Sequence, residues 1–220
     1  MKTIIFDLDG TILDTLKDLT VAVNFGLRSR NLPEKDTEFV RLAIGNGTKV
    51  LIKRCTPCDI SEEERQIAFD NFRSYYLQHF NDFTKPYPCV IEMLQRLKKN
   101  PDIRLIVVSN KDDDLTNKLI AKEFGNIFDV VQGSYLDKPR KPDPYLIEKV
   151  LKENGIKKED CLYIGDTNID RESATNAGLK YVLVNYGYRT KEELIKMCPG
   201  DTSISTVEEL YDYINKWVNL

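Results

Sequence analysis

The sequence has little histidine, no excess of positive charge and no long apolar run. His79 is the only histidine among 220 residues, so the sequence does not support a Ser-His-Asp triad or a histidine-rich metal site. The net charge of −3 lacks the basic excess that is typical of nucleic-acid-binding proteins. No apolar stretch approaches the roughly 20 residues that a membrane-spanning helix needs. These absences predict that the protein binds neither nucleic acid nor a membrane.

The cysteines and the N-terminal residues predict a reduced, cytoplasmic protein. Five cysteines, an odd number, favour free thiols over a disulfide framework. Cys55 and Cys58 have the CxxC spacing of a redox motif or half a zinc site. No second CxxC completes that site and the pair falls in a region of helical periodicity, so we interpret it as incidental. Met1-Lys2-Thr3 precedes only three apolar residues and an acid, which is too short for a signal peptide.

The periodicity of apolar residues divides the chain into a helical segment and an α/β segment. Residues 15–85 show helical spacing and no convincing strand, whereas strands and helices alternate from residue 86 onward. The predicted strands are nearly all apolar: "TIIFDL" (3–8), "IRLIVVS" (103–109), "FDVVQG" (128–133), "CLYIG" (161–165) and "YVLVN" (181–185). Apolar strands separated by helices predict a parallel sheet covered on both faces. We therefore expect an α/β fold: a doubly wound, Rossmann-like parallel-sheet core, residues 1–14 and 86–220, with an inserted all-helical cap domain at 15–85.

Acidic side chains lie at the ends of two of the predicted strands. Asp7 and Asp9 are two positions apart, so they face the same way, and Thr11 adds a hydroxyl beside them. Asp166 and Asp170 are four positions apart near a predicted helix start, which predicts a shared helical face. Because ligands of such sheets bind at the carboxyl ends of the strands, these residues should converge. Carboxylate oxygens grouped in this way are a hard site suited to Mg²⁺.

Basic and hydroxyl groups for an anionic substrate accompany the acids. "DKPRKPDP" supplies Lys138 and Lys141, of which we favour Lys141, although the sequence leaves open which one contacts a phosphate. Ser109 ends a predicted strand, where it either contacts a phosphate or caps the following helix. Acids, a metal ion, a lysine and hydroxyls together are typical of phosphoryl transfer. In such a site one carboxylate can act as a nucleophile and a second as a general acid and base.

A glycine-containing loop lies within the helical segment. "GNGTK" (45–49) lacks the G-x-x-x-x-G-K-[ST] spacing of a nucleotide-binding loop, and we interpret it as a loop whose glycines let the backbone approach a small substrate. The surrounding basic residues either bind a substrate carboxylate or are solvated helix surface, and both interpretations stay open. These residues are Arg41, Lys49, Lys53 and Arg54.

Four segments, in order, resemble the four motifs of the haloacid dehalogenase-like hydrolases: "DLDGTILD", "VVSNK", "RKPDP" and "IGDTNID". The resemblance covers essentially the whole chain. Within the superfamily the sequence most resembles phosphoglycolate phosphatase-like members, through "AIGNGTKVLI" (43–52), the pair Asn110-Lys111 and "VNYGYRTKEEL" (184–194). One departure is Cys89 in "YPCV", where relatives usually have glycine; because it adjoins the returning linker of the helical insert, we expect it to bear on hinge geometry before chemistry.

The resemblance implies a role for each motif residue. Asp7 would be the nucleophile, and Asp9 the general acid and base and a Mg²⁺ ligand through its backbone carbonyl. Asp166 would be a side-chain ligand, so the implied metal ligands are Asp7, Asp9 and Asp166. Asp170 would support the metal or Lys141, and Lys141 would balance the charge of the phosphoryl group. The implied phosphate- and substrate-binding residues are Thr11, Ser109, Asn110, Lys141, Gly45, Asn46 and Gly47.

The implied activity is Mg²⁺-dependent hydrolysis of a small phosphorylated metabolite through an aspartyl-phosphate, with 2-phosphoglycolate as the candidate substrate. A sugar phosphomutase of the β-phosphoglucomutase type stays open as an alternative, because it uses the same nucleophile but returns the phosphoryl group to a sugar phosphate. A non-catalytic phospho-receiver domain is a weaker alternative, since receivers carry an adjacent acidic pair at the first strand and no helical insert. The sequence also leaves open whether the protein is a monomer or a homodimer.

Overall fold

The computed structural model describes residues 1–219, which form two compact units. The first, which we call the α/β unit, consists of Met1–Leu13 and residues 86–219, and the second, the helical unit, of Asp14–Lys85. The strands are β1 (Lys2–Phe6), β2 (Leu13–Asp14), β3 (Lys85–Pro86), β4 (Ile103–Asp112), β5 (Val130–Ser134), β6 (Cys161–Gly165), β7 (Lys180–Val184) and β8 (Ser203–Ile204). The helices are α1 (Leu16–Arg28), α2 (Thr37–Ala43), α3 (Thr48–Cys55), α4 (Glu62–His79), α5 (Val90–Lys98), α6 (Asp113–Phe124), α7 (Tyr145–Glu153), α8 (Asn168–Ala177), α9 (Lys191–Met197) and α10 (Val207–Val218).

The α/β unit contains a parallel sheet with the strand order β5-β4-β1-β6-β7-β8. Chain order reverses at β1, because β4 and β5 lie on one side of it and β6, β7 and β8 on the other. This reversal defines the doubly wound arrangement, in which ligands bind in the crevice outside the strand ends at the switch point. From Thr3 to Phe6, β1 is fully buried, as expected for a central strand covered on both faces. The loop after Phe6 therefore begins at the crevice.

Helices α7 and α8 cover one face of this sheet. Ile5 of β1, Val108 of β4 and Tyr163 of β6 belong to the same buried cluster as the apolar side chains of the two helices. The helix residues in the cluster are Leu146, Ile147, Val150, Leu151, Ala174 and Ala177. Burying a large aliphatic side chain stabilises the fold by about 1.5–3 kcal/mol. The core therefore fixes the strands whose ends carry the acidic residues.

The helical unit is organised by the packing of α1 near α4. Gly26 of α1 lies so close to α4 that a Cβ atom there would come within 2.5 Å of the carbonyl oxygen of Ala68. Asp18 is buried in the first turn of α1, and its carboxylate accepts hydrogen bonds from the backbone N–H groups of Phe83 and Thr84, at 3.1 and 2.8 Å. This carboxylate ties the end of the unit to its first helix. The role of the unit as a cap stays a prediction.

The structure corrects several element predictions. Strand β4 continues past Ser109 to Asp112 across an irregularity in its pairing with β5, so the interpretation of Ser109 as a helix cap is wrong. Strand β5 begins two residues later than predicted, at Val130. The two-residue strands β2, β3 and β8 were not predicted, because two residues are too few to carry a periodic pattern. Helices α9 and α10 follow the last predicted strand and extend the α/β unit.

The CxxC pair does not sit within a single helix. Cys55 is the last residue of α3, and Cys58 lies outside that helix, while both lie in the helical unit. All five cysteines are free. Burial raises the pKa of the Cys55 thiol to about 11, which disfavours the thiolate that redox chemistry or metal binding needs. Among the described residues, no helix combines the length and apolarity needed to cross a membrane.

Cys89 occupies a backbone conformation that favours glycine. Its φ is 65° immediately before α5, and the residue is exposed. This conformation costs a non-glycine residue about 1–2 kcal/mol, whereas glycine loses about 0.5–1 kcal/mol through chain entropy. We therefore expect Cys89→Gly to raise the free energy of unfolding in urea by about 0.5–1 kcal/mol. Cys89→Ala keeps the Cβ atom, so its free energy of unfolding should stay within about 0.5 kcal/mol of the wild-type value. An equal gain in both variants would contradict the explanation by backbone strain.

Candidate active site

The candidate active site lies at the carboxyl ends of three adjacent strands of the α/β unit. Asp7 directly follows β1, Ser109 lies near the end of β4, and Asp166 directly follows β6. The register pairs Phe6 with Val107 on one side and with Ile164 on the other. The three polar side chains therefore leave the sheet at nearly the same level, and strand pairing sets their convergence.

Lys141 lies between two buried carboxylates. Its Nζ is 2.8 Å from Asp7 Oδ1 and 2.7 Å from Asp170 Oδ1. The exposed fractions are 4% for Lys141, 8% for Asp7 and 1% for Asp170, so the ion pairs are shielded from solvent. Lys138 is exposed and forms its ion pair with a neighbouring surface residue. The structure therefore places Lys141, and not Lys138, beside the predicted nucleophile.

Asp170 is held in place from two directions. Its Oδ1 accepts a hydrogen bond from the Tyr163 hydroxyl at 3.2 Å, and that hydroxyl also accepts one from Lys141 Nζ at 3.0 Å. Its Oδ2 accepts hydrogen bonds from the backbone N–H and the hydroxyl of Thr167, at 3.1 and 2.7 Å. Thr167 is the N-cap of α8 and Asp170 lies in its first turn, so this is a capping box. Asp166 precedes the cap, and the prediction that Asp166 and Asp170 share a helical face is wrong.

Asp166 is fully buried, and its two carboxylate oxygens have different partners. Oδ1 accepts a hydrogen bond from the Thr11 hydroxyl at 3.3 Å, and Oδ2 accepts one from the backbone N–H of Tyr188 at 2.6 Å. Gly10 and Gly187 leave room for this carboxylate, because a Cβ atom at either position would overlap with Asp166 or its neighbours. The Asp166 side chain is therefore fixed by the loop after β1 and the segment after β7.

Burial and charge set the protonation of this cluster. Burial raises the pKa of Asp7 from 3.8 to about 7, against the opposing charge of Lys141. Burial, followed by the charges of Asp170 and Asp7, holds the pKa of Asp166 well above its ordinary value. Burial alone would raise the pKa of Asp170, but the charge and hydrogen bond of Lys141 outweigh it and the pKa is lowered. Asp170 and Lys141 are therefore a fixed ion pair, whereas Asp7 and Asp166 resist ionisation unless another cation is present.

The acidic cluster fits a hard divalent cation. Asp7, Asp166 and Asp170 each offer a carboxylate oxygen, and these atoms lie within 4.8 Å of one another. Three buried carboxylates outnumber one lysine, and an oxygen-coordinated cation such as Mg²⁺ would balance the negative charge that their full ionisation creates. The carboxylate of Asp9 is not part of this cluster, and the predicted ligand from Asp9 is its backbone carbonyl. The residues present therefore suit the predicted metal.

Asp9 points its carboxylate at a lysine that the sequence analysis assigned no role. Lys111 Nζ lies 2.9 Å from Asp9 Oδ1 and 3.1 Å from Oδ2. The backbone N–H of Lys111 donates a hydrogen bond to Ser109 Oγ at 3.2 Å. Because that bond uses an acceptor position of the hydroxyl, the Ser109 proton remains available for donation to an anion.

The remaining predicted site residues have protein partners or lie in the other unit. The amide of Asn110 bonds to the backbone of Lys141 twice, accepting from its N–H at 2.8 Å and donating to its carbonyl at 3.0 Å. Thr11 is fully buried, and its hydroxyl donates to Asp166. For these two residues the structure adds a positioning contact, and direct substrate contact stays a prediction. Gly45, Asn46 and Gly47 lie in the helical unit between α2 and α3, where Arg54 donates a hydrogen bond to Asn46 Oδ1 at 2.8 Å.

Substitution of Gly187 should disrupt the acidic cluster. A Cβ atom there would overlap with the carbonyl oxygen of Gly10 and lie 2.7 Å from Asp166 Oδ2, so Gly187→Ala must displace the backbone or the carboxylate. We expect Mg²⁺ affinity, measured calorimetrically, to fall by about 10- to 100-fold, the range seen when groups that orient metal ligands are lost. Gly155→Ala is the control: its φ is +61°, but its Cβ would meet nothing within 4 Å. Unchanged affinity in Gly187→Ala would contradict the prediction.

Comparison with known proteins identifies the family. The sequence matches the haloacid dehalogenase-like hydrolase family over residues 4–184. It is 34% identical over 189 residues to the phosphoglycolate phosphatase of Aquifex aeolicus, covering 86% of each protein. It is 33% identical over 204 residues to phosphoglycolate phosphatase 1 of Pseudomonas aeruginosa, covering 90% of this chain and 74% of that protein. A candidate phosphoglycolate phosphatase from Lactobacillus delbrueckii subsp. bulgaricus has a crystal structure that matches with a TM-score of 0.89 at 29% identity, covering 97% and 99% of the two chains.

The chain therefore belongs to the haloacid dehalogenase-like hydrolases. Within that family it is a phosphoglycolate phosphatase-like member, an enzyme of the phosphatase class. The predicted family and the predicted α/β, Rossmann-like fold are both confirmed.

Three residues that the structure places at the site had no function predicted from the sequence. Lys111 follows Asn110 in "VVSNK", and its position at the end of an apolar strand was the signal that could have identified it. Tyr163 lies inside the apolar strand "CLYIG" and gives no sign that its hydroxyl faces the Lys141 ion pairs. Gly187 acts through its lack of a side chain, which becomes meaningful only when its neighbours are known.

Proposed function

We propose that the protein is a Mg²⁺-dependent phosphomonoester hydrolase that acts on a small phosphorylated metabolite through an aspartyl-phosphate on Asp7. The observation that carries the proposal is the 2.8 Å ion pair between Asp7 and Lys141 beside a buried acidic cluster at the switch point of the sheet. 2-Phosphoglycolate is the first candidate substrate, because curated relatives that the chain matches over most of its length are named phosphoglycolate phosphatases.

The first half-reaction transfers the phosphoryl group to Asp7. A carboxylate oxygen of Asp7 attacks phosphorus, the bond from phosphorus to the ester oxygen breaks, and that oxygen takes a proton from Asp9. Lys141, which forms an ion pair with Asp7, and the buried Ser109 hydroxyl would bind the phosphoryl oxygens, on which negative charge is spread. Bound Mg²⁺ would supply charge neutralisation of the same kind, held by Asp7, Asp166 and the carbonyl of Asp9, with Asp170 supporting the site.

The second half-reaction returns Asp7 to its starting state. A water molecule gives a proton to the Asp9 carboxylate and attacks phosphorus, the bond from phosphorus to Asp7 breaks, and inorganic phosphate leaves. Asp9 thus loses one proton and regains one in each cycle. This demands that its carboxylate stay close to the leaving oxygen and then to the attacking water.

The helical unit is proposed to select the substrate, with Gly45, Asn46 and Gly47 as the contacting loop. Within that unit Arg54 donates hydrogen bonds to the carbonyl of Ala43 and to the side chain of Asn46, both at 2.8 Å, and so braces this loop. We further propose a cytoplasmic protein that is a monomer or a homodimer.

Hydrolysis of defined phosphate esters tests the proposal. Purified protein with Mg²⁺ is expected to hydrolyse p-nitrophenyl phosphate over many turnovers and to prefer 2-phosphoglycolate, by kcat/KM, within a panel of small phosphorylated metabolites. Omission of Mg²⁺, or addition of a chelator, should abolish turnover. Transfer of the phosphoryl group to a second sugar phosphate would establish the phosphomutase instead. A stable phosphoprotein with no turnover would establish the phospho-receiver, and either outcome would overturn the proposal.

A further inference from the structure

The contact between Lys111 and Asp9 joins the ends of two neighbouring strands. Asp9 lies in the loop after β1, and Lys111 lies near the end of β4, whose residues 103–107 pair with β1. The Lys111 ammonium approaches both oxygens of the Asp9 carboxylate, at 2.9 and 3.1 Å. A carboxylate held at both oxygens has a defined rotation as well as a defined position.

The two partners differ in exposure. The side chain of Lys111 is 4% exposed, whereas that of Asp9 is 18% exposed. The lysine therefore supports the carboxylate from inside the protein, and part of the carboxylate stays accessible. This ion pair adds little to the stability of the fold, because the free-energy cost of burying the lysine offsets most of its attraction to the carboxylate.

The backbone of Lys111 contributes to the site as well. Its N–H donates to Ser109 Oγ at 3.2 Å, and the irregular pairing of β4 with β5 falls between Val108 and Asp112. Irregularities of this type redirect side chains at strand ends. The local distortion therefore coincides with the residues that face the site, Ser109 and Lys111.

We propose that Lys111 is the positioning residue for Asp9, holding its carboxylate for proton transfer to the leaving group and from the attacking water. This inference rests on the proposed function, because it concerns the acid and base of that reaction. Lys111 itself contacts neither substrate nor phosphorus and takes no proton in the cycle.

Substitution of Lys111 should slow the two half-reactions in a recognisable pattern. For an alkyl phosphate such as 2-phosphoglycolate, Lys111→Met is expected to lower kcat by about 30- to 100-fold, with KM changed by less than about threefold. For p-nitrophenyl phosphate the leaving group departs without a proton, so phosphorylation of Asp7 should stay fast while hydrolysis of the phosphoenzyme slows. Rapid mixing should then show a burst approaching one p-nitrophenol per protein, together with accumulated phosphoprotein. A general loss of structure would not produce this burst.

Four further variants test the assignment. Lys111→Arg keeps the charge and should recover kcat to within about tenfold of wild type. Asp9→Asn combined with Lys111→Met should be no more than about twofold slower than Asp9→Asn alone, because the lysine acts through the aspartate. Lys118→Met, the same change at an exposed position of α6, should behave as wild type. Circular dichroism and calorimetric Mg²⁺ affinity should match wild type in every variant.

Failure of the Lys111 assignment and failure of the proposed function give different results. When wild type turns over, any of three results shows that the assignment of Lys111 is wrong while the proposed function stands. The kcat of Lys111→Met falls by less than about twofold, both esters slow equally without a burst, or the effect of Lys111→Met adds fully to that of Asp9→Asn. If wild type hydrolyses no phosphate ester with Mg²⁺, the proposed function and the assignment of Lys111 fall together.

Discussion

The Asp7→Asn protein is expected to lose at least about four orders of magnitude in kcat on any phosphate ester. The amide that replaces the carboxylate is a poor nucleophile, and the ion pair that joins Asp7 Oδ1 to Lys141 Nζ at 2.8 Å is lost with the charge. The measurement is phosphate release under saturating Mg²⁺, together with a search for acid-stable phosphoprotein by mass spectrometry. Wild type quenched during turnover should carry one phosphate on Asp7, and the variant none.

The folded state of Asp7→Asn should be retained, which separates lost chemistry from lost structure. Asparagine has nearly the shape of aspartate and removes one of the buried like charges of the cluster. Asp102→Asn is the control for the same chemical change, because Asp102 is exposed in the turn before β4. Turnover by Asp7→Asn within about tenfold of wild type would eliminate Asp7 as the nucleophile.

The Asp166→Asn protein is expected to gain stability and lose metal binding. In the absence of metal, burial and the charges of Asp170 and Asp7 hold the pKa of Asp166 well above its ordinary value of 3.8. Folding raises the pKa of this carboxyl group. Its contribution to stability is therefore fully present below the pKa that the group has in the unfolded chain, and it is lost as the pH rises towards the pKa that the group has in the folded protein. The amide avoids this loss, while its oxygen can still accept the hydrogen bond from Thr11 or from the Tyr188 N–H.

Thermal unfolding without metal measures this effect. The advantage of Asp166→Asn over wild type should be small at about pH 5 and should grow to about 1–2 kcal/mol at about pH 8, or several degrees in Tm. With millimolar Mg²⁺ the order should reverse, because binding to the folded state raises the Tm of wild type alone. Equal stabilisation of both proteins by Mg²⁺ would exclude Asp166 as a ligand. An advantage that shrinks with rising pH would contradict the raised pKa.

The fold was predictable because its signals are local. Apolar runs such as "IIF" and "LYI" identify central parallel strands without any knowledge of their partners. Asp7 and Asp166 could be grouped in advance, because polar residues directly after such strands must meet at one sheet edge. The pairing of Lys111 with Asp9 joins positions 102 residues apart, and the alignment of β4 beside β1 is needed before the contact becomes visible. Local patterns therefore predict which residues reach the site, whereas contacts between distant residues decide their roles.

Cys89 and Ser109 illustrate two different limits of sequence analysis. The cysteine at position 89, where relatives usually have glycine, directed attention to the hinge geometry, and the structure holds Cys89 in the left-handed region that glycine favours. For Ser109, strand and helix-cap interpretations both suited the letters "VVSNK", because the apolar run ends at Val108 although the strand itself continues to Asp112. The pairing of β4 with β5 is irregular over these same residues, and such irregularities are concentrated near functional sites.

Asp170 has three structural roles at once. It closes the N-terminus of α8 with Thr167, neutralises Lys141 and offers an oxygen to the acidic cluster. A single replacement there would disturb helix initiation, the counter-charge of Lys141 and cation binding together. A redesign of this enzyme's specificity should therefore leave Asp170 unchanged and vary residues that have a single role.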